Sequence, residues 1–187
     1  MKSPIINSPY FEPTLHFASN ERGVTEEILE YRRPSSFYIP VPRAGSLQER
    51  AQQHLLEGSY GSEMQEENAV VNKIRKKISD WRRNNYSGLT KTSRDLLAYW
   101  KDESRENKLF FCQIEALETI MYVNEAAERL GDGWIINEVK KVNAEANPGL
   151  YRLALKMATG SGKTVVMAML IAYNTLNKIR YPQDTRF

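Results

Sequence analysis

The chain has 187 residues and a formal net charge of +3, with one cysteine and two histidines. That length is enough for one ordinary domain with a real core, and so small a charge argues only faintly for a polyanionic partner. A single cysteine excludes an internal disulfide framework and a cysteine-rich zinc site, and with only His16 and His54 beside it no metal-ligand cluster is visible.

No signal peptide is expected, because Met1-Lys2-Ser3-Pro4 leads into prolines and asparagine rather than an apolar run. The longest apolar stretch, 165–173, is too short to cross a bilayer. A soluble, cytoplasmic protein is expected. Cys112 is expected to pack as a small apolar residue.

Residues 1–43 carry most of the prolines and many aromatics, so they cannot form a long helix and read as an extended arm. Short strands are expected at 15–18 and 36–41 with a turn at 19–23, while 24–30 is ambiguous between strand and helix. Glycine, serine, glutamine and glutamate dominate 44–67, which reads as a mobile connector with a brief helix at 47–56.

A helical segment spans 68–108. Over 68–83, Val70, Val71, Ile74, Ile78 and Trp81 recur at three- and four-residue spacing and define one buried stripe. The other face carries Lys73, Arg75, Lys76, Lys77, Arg82 and Arg83. It is either a solvated face or a set of DNA phosphate contacts. A turn at Asn85-Tyr86-Ser87-Gly88 precedes a second helix, with Thr92 as its N-cap, Asp95 completing a capping pattern, and Leu96, Leu97 and Trp100 inward. After a charged link at 102–107, one helix is expected over 111–130, ending at Gly131, and another over 134–146 with Ile135, Val139, Val142 and Ala146 aligned. Asn147-Pro148-Gly149 breaks it.

A strand is expected at 151–157, with Leu153, Leu155 and Met157 on one side. Met157-Ala158-Thr159-Gly160-Ser161-Gly162-Lys163-Thr164 follows, and then a helix over 165–181 that its apolar residues would bury against a sheet. Strand, glycine loop, Gly-Lys-Thr and helix in this order describe a triphosphate cradle. Glycines without Cβ let backbone N–H groups close on phosphate. Lys163 supplies the point charge, the Thr164 hydroxyl a ligand for Mg²⁺, and the helix its positive dipole end. The expected ATP and Mg²⁺ site comprises Thr159, Gly160, Ser161, Gly162, Lys163, Thr164 and Val165, with Lys163 and Thr164 closest to the chemistry.

Met157 stands where the general pattern has its first glycine, a relaxation common in helicase-type loops. The stretch KMATGSGKTVVMAMLIAYNTLNK resembles motif I of superfamily 2 helicases, in particular the restriction-enzyme branch. Phe110-Phe111-Cys112-Gln113-Ile114-Glu115-Ala116 resembles the Y-Q-x-x-A element of the same superfamily. That resemblance implies that the Gln113 amide pairs with the adenine edge, with Phe110 or Phe111 as a wall. SPIINSPYFEPTLHF and EANPGLYRLALKMATGSGKT extend the likeness to the res subunit of type III restriction endonucleases, a DEAD/DEAH-like translocase.

The resemblance implies an α/β fold: the start of a RecA-like P-loop domain, truncated, at 109–187, preceded by the mainly helical region and the arm. It implies an ATP-dependent DNA helicase or translocase of a restriction system, working on double-stranded DNA with a methyltransferase subunit or a missing C-terminal portion. No D-E-x-H or D-E-A-D box occurs in the chain, so no turnover by this chain alone is expected. A non-catalytic DNA-binding regulator, another class of P-loop ATPase, or a split reading frame are the alternatives.

Overall fold

The computed structural model describes residues 5–20, 23–40 and 63–187. Expectations for 44–62, including the brief helix at 47–56, lie outside these residues. The chain divides into two compact units, one of Met1–Arg32 with Ile74–Phe187 and the other of Arg33–Lys73. The architecture is mixed helix and strand, with two separate two-stranded sheets.

In the larger unit, β1 (His16–Asn20) and β2 (Gly23–Leu29) form an antiparallel hairpin in which His16 faces Leu29 and Asn20 faces Gly23. The ambiguity over 24–30 resolves to strand. Val24, Thr25 and Ile28 are stiff, β-branched residues that suit a pleated surface. A bulge between Phe17 and Ser19 breaks the register, and the Thr25 hydroxyl donates to the Ala18 carbonyl there at 3.1 Å. Before the hairpin, the Asn7 side chain acts as a short strand edge. Its amide donates to the Leu15 carbonyl at 2.8 Å and its oxygen accepts from the Thr14 and Leu15 N–H groups, both at 3.1 Å.

The smaller unit pairs β3 (Ser36–Pro40) with β4 (Glu63–Glu67), antiparallel, from Ser36 opposite Glu67 to Pro40 opposite Glu63. The last residues of the expected connector are therefore a strand. Asn68 N–H donates to the Ser35 carbonyl at 2.8 Å, and the Asn72 side chain both accepts from Ser35 N–H and donates to its carbonyl. This ties the strand pair to the first turn of α1 (Ala69–Arg83).

From Ile74 onward α1 belongs to the larger unit, and Ile78 and Trp81 are buried as their spacing requires. Trp81 meets Tyr86 and Tyr122 edge-on, with ring centroids 5.0 Å away in each case, and its indole N–H donates to the Ser87 carbonyl at 2.7 Å. The following turn holds Asn85 and Tyr86 at positive φ, and a Cβ on Gly88 would come within 3.5 Å of Ala126.

The N-cap of α2 (Lys91–Lys101) is Thr90 rather than Thr92. Thr90 accepts from Ser93 N–H at 3.1 Å and donates to Asn177 Oδ1 at 2.7 Å, so a distant partner fixes the cap two residues earlier. Leu97 and Trp100 are buried.

The single helix expected over 111–130 is regular only as α3 (Phe111–Met121), and it widens into a π-helical turn at Tyr122–Ala126. There Ala127 N–H reaches the Tyr122 carbonyl at 2.8 Å, and Gly131 at positive φ ends the run. The widened turn lies where Glu125, only 3% exposed, enters the interior. The next helix, α4 (Gly133–Ala146), buries Ile135 but leaves Val142 59% exposed, so only its first half joins the core. The core gathers Ile78, Trp81, Leu97, Leu117, Met121, Tyr122, Ile135 and Tyr173. Each such side chain stabilises the fold by about 1.5–3 kcal/mol through burial. Among the described residues, no helix is long and apolar enough to cross a membrane.

Two interior carboxylates carry specific bonds. Glu125 accepts from the Ser93 hydroxyl at 2.6 Å, the Tyr173 hydroxyl at 2.9 Å and Thr90 N–H at 2.7 Å. Asp132 accepts from Lys77 at 2.8 Å, from the Tyr122 hydroxyl at 2.5 Å and from the Trp134 indole at 3.1 Å. Burial pushes the Asp132 carboxyl upward, but the donors Lys77, Tyr122 and Trp134 outweigh it and hold the group below its ordinary value.

Glu125→Ala leaves the buried Ser93 and Tyr173 hydroxyls and the part-buried Thr90 N–H without this partner, and chemical denaturation should show a loss of about 3 kcal/mol. For Asp132 the folded value is the lower one, so its stabilisation is present above the unfolded value and disappears as pH falls through the folded value. The stability gap between native chain and Asp132→Asn should therefore be constant near neutrality and shrink below about pH 4. A gap independent of pH down to acid unfolding would contradict this.

Candidate functional site: the glycine loop and its surroundings

Residues 151–157 form no strand. A strand needs a ladder partner, and among the described residues no strand lies beside this one. The Asn143 side chain instead donates to the Leu150 carbonyl and accepts from Arg152 N–H, each at 2.8 Å. The alternation does hold: Leu153, Leu155 and Met157 are half-buried and their neighbours exposed.

At Ala158 the chain turns sharply. Gly160 and Gly162 both stand at φ +77°, a left-handed conformation that costs other residues about 1–2 kcal/mol. The Ala158 carbonyl accepts from the Ser161 hydroxyl and the Lys163 ammonium, each at 2.7 Å. The Gly162 carbonyl takes the first helical bonds, from Val165 N–H at 3.0 Å and Val166 N–H at 3.3 Å. Helix α5 (Lys163–Arg180) therefore starts two residues earlier than expected. Thr159, Gly160, Lys163, Thr164 and Val165 are exposed, and a Cβ added to Gly160 would meet nothing within 4 Å. An exposed lysine and an exposed threonine thus stand beside two left-handed glycines at a helix N-terminus. This donor set fits a polyphosphate with its Mg²⁺.

Only one stripe of α5 is buried: Val166, Met169, Tyr173 and Asn177. It packs against α2 and α3 rather than against a sheet. Met167, Ile171 and Ile179 are 62%, 66% and 70% exposed, so the expected burial against a sheet is not seen. Asn177 donates to the Ser93 hydroxyl at 2.9 Å beside the Glu125 cluster.

Gln113 sits in the first turn of α3 and is 5% exposed. Its Oε1 accepts from Phe110 N–H at 2.9 Å, and its Nε2 donates to the Ser161 carbonyl at 3.1 Å. The structure thus brings Gln113 onto the glycine loop, 48 residues away along the chain. Phe110 meets Tyr10 at 5.7 Å. The ring of Phe111 is taken, since the guanidinium groups of Arg32 and Arg82 lie 5.5 and 5.0 Å from its centroid.

The expected basic face is divided. Arg82 pairs with Glu118 at 2.6 Å and Glu12 at 2.9 Å, Lys77 with Asp132, and Arg83 with Asp80. Arg75 is half-buried, and burial together with the nearby Arg32 pushes its pKa down. Lys73 and Lys76 are exposed. Cys112, expected to pack, is exposed on the first turn of α3, because the inward positions of that turn go to Gln113 and Ile114.

Sequence reasoning missed the arm's part in the site. The Pro9 carbonyl accepts Phe111 N–H at 2.8 Å, and Arg32 grips Glu115 through two bonds of 2.5 and 2.6 Å. Nothing local marks these residues beyond the arm's richness in aromatics and charges. Among the described residues, no group of His, Cys, Asp and Glu could hold a metal ion.

Gly162 and Gln113 are sterically coupled, because a Cβ on Gly162 would lie 2.1 Å from Gln113 Nε2. Gly162→Ala should destabilise the chain by about 2 kcal/mol or more, from positive φ plus overlap. In a Gln113→Ala background the cost should fall, giving a non-additive double-mutant cycle on denaturation. Strict additivity would contradict the packing described.

No curated protein and no solved structure matches the chain. The family model described as "Type III restriction enzyme, res subunit" matches residues 108–181, a stretch that includes both Gln113 and the glycine loop. That stretch is less than half of the chain, and over it the chain is similar to the res subunit of type III restriction enzymes.

Proposed function

We propose that the chain binds Mg-ATP at the glycine loop and is the N-terminal part of the motor of a restriction-type, ATP-dependent DNA translocase. One observation carries the reading: two left-handed glycines deliver Lys163 and Thr164, exposed, to the N-terminus of α5 within the family-matched stretch. Lys163 turns from the Ala158 carbonyl to the β- and γ-phosphate oxygens, and the Thr164 hydroxyl serves the Mg²⁺. Bound there, the nucleotide supplies the free energy of phosphoanhydride cleavage.

The segment 151–157, the loop and α5 are, in this reading, the first strand, loop and helix of a RecA-like sheet. The alternation of Leu153, Leu155 and Met157 and the exposed Met167, Ile171 and Ile179 support it, since a parallel sheet covers both its faces. The complementary strands come from a further portion of the enzyme. Hydrolysis needs an acidic residue for the water and an arginine facing the γ-phosphate, and no acidic box occurs in the sequence. The chain alone binds nucleotide without turning it over. Double-stranded DNA is the proposed partner, with Arg75, Lys76 and Arg83 as phosphate contacts.

Calorimetry of the full chain with Mg-ATP should register binding, weakened about thirtyfold by Lys163→Ala through loss of a charge-assisted contact. EDTA should weaken it too, and phosphate release should stay at background. No binding heat, or sustained release abolished by Lys163→Ala, would contradict the proposal.

A further inference from the structure

On the face of α3 that carries Phe111, Ile114 and Glu118, a cleft of about 520 Å³ opens. The end of α2 and the charged link after it supply more of its lining, through Trp100, Lys101, Asp102, Glu103, Glu106 and Lys108. No residue of 151–187 lines it, so it is distinct from the phosphate loop. Its volume is that of a small-molecule site.

Aromatic rings make up much of the lining. Trp100 is buried, whereas Tyr10 and Phe11, brought in by the arm, are 45% and 67% exposed. A phenylalanine so exposed adds little to the fold and is free to cover a ligand. The charges fall into two groups. Glu118 and Glu12 are already neutralised by Arg82, at 2.6 and 2.9 Å, while Lys101 donates to the Tyr86 hydroxyl and lies 3.7 Å from Glu118. Asp102, Glu103, Glu106 and Lys108 form the second group, and all four are exposed. Among the described residues, Glu103, Glu106 and Lys108 form no ion pair. Bonds from Ser104 hold the Asp102 carboxyl below its ordinary value, so it too is ionised. Three carboxylates against one ammonium leave this part of the lining negative.

Ring faces carry negative potential as well, so the rings and the carboxylates favour the same kind of ligand. One ring of the cleft already holds cations, since the guanidinium groups of Arg32 and Arg82 lie 5.5 and 5.0 Å from the Phe111 centroid. A triphosphate would be repelled by the same carboxylates.

We propose that this cleft is a second ligand site, which takes a small organic cation: an ammonium or guanidinium group on an apolar body. The apolar body packs on Trp100, Leu109 and Ile114, Glu103 and Glu106 attract the charge, and Phe11 adds a ring from the arm. The site does not depend on the nucleotide reading above.

The test is a chemical-shift titration of the full chain with three probes of similar shape: phenethylammonium, phenethyl alcohol and phenylpropionate. The cation should bind about fivefold more tightly than the alcohol, and the carboxylate should not bind. Shifts should centre on 100–111 and on Tyr10 and Phe11. The paired substitutions Glu103→Gln and Glu106→Gln should weaken the cation about fivefold and leave the alcohol unchanged. Both side chains are exposed, so the fold is kept. Phe11→Ala should weaken cation and alcohol alike, and saturating Mg-ATP should not displace the cation. Equal affinity for cation and alcohol, preference for the carboxylate, shifts confined to other surfaces, or displacement by Mg-ATP would overturn the proposal. So would an absence of cation binding at about 10 mM in a chain with dispersed core resonances.

Discussion

The buried carboxylate of Glu125 is the junction on which the arrangement depends. It stands in a widened helical turn, only 3% exposed, and takes hydrogen bonds from α2 through Thr90 and Ser93 and from α5 through Tyr173. Asn177, one turn further along α5, closes the cluster by donating to Ser93 and accepting from Thr90. A buried charge is tolerated only when its donors are in place, so these bonds are specific where apolar packing is not. The consequence is positional. α5 cannot rotate without breaking the cluster, and Lys163 and Thr164 lie at its first two positions.

The other end of the loop is fixed differently. Gln113 links Ser161 to the start of α3, and α3 is itself held by the arm through Pro9 and Arg32. Around Phe111, Arg32 and Arg82 alternate with Glu12, Glu115 and Glu118, so the arm is secured by charge pairs as well as by the Tyr10–Phe110 contact. Part of the sequence's basic character is therefore internal wiring. Arg82, drawn from the sequence as a solvent-facing cation, has a carboxylate partner that is wholly buried.

What was legible in the sequence depended on range. The spacing of Ile74, Ile78 and Trp81 gave the inward face of α1, because helical periodicity is a local property. The turn at the glycine loop was legible because Gly160 and Gly162 take their left-handed conformation within a few residues of the start of α5. The N-cap was misplaced because Thr90 and Thr92 look alike locally. The deciding hydroxyl partner, Asn177, lies 87 residues away. The strand at Glu63–Glu67 was hidden by its glutamates, since its pairing with Ser36–Pro40 comes from backbone bonds that side-chain composition does not reveal. The grip of Arg32 on Glu115 spans 83 residues and leaves no local trace. At 151–157 the alternation was read correctly, but a strand is a relation between two segments, and the alternation of one cannot supply the other.

The account stands on the loop at 158–164 being a cradle for an anionic tail, held from two sides by Gln113 and by the Glu125 cluster. Amide hydrogen exchange across 158–166 measures this most directly. With saturating Mg-ATP the amides of Gly160 to Thr164 should become strongly protected, while those of α2, already held by tertiary packing, change little. Exchange at the loop that is identical with and without nucleotide, in a chain whose core amides are protected, would contradict the account.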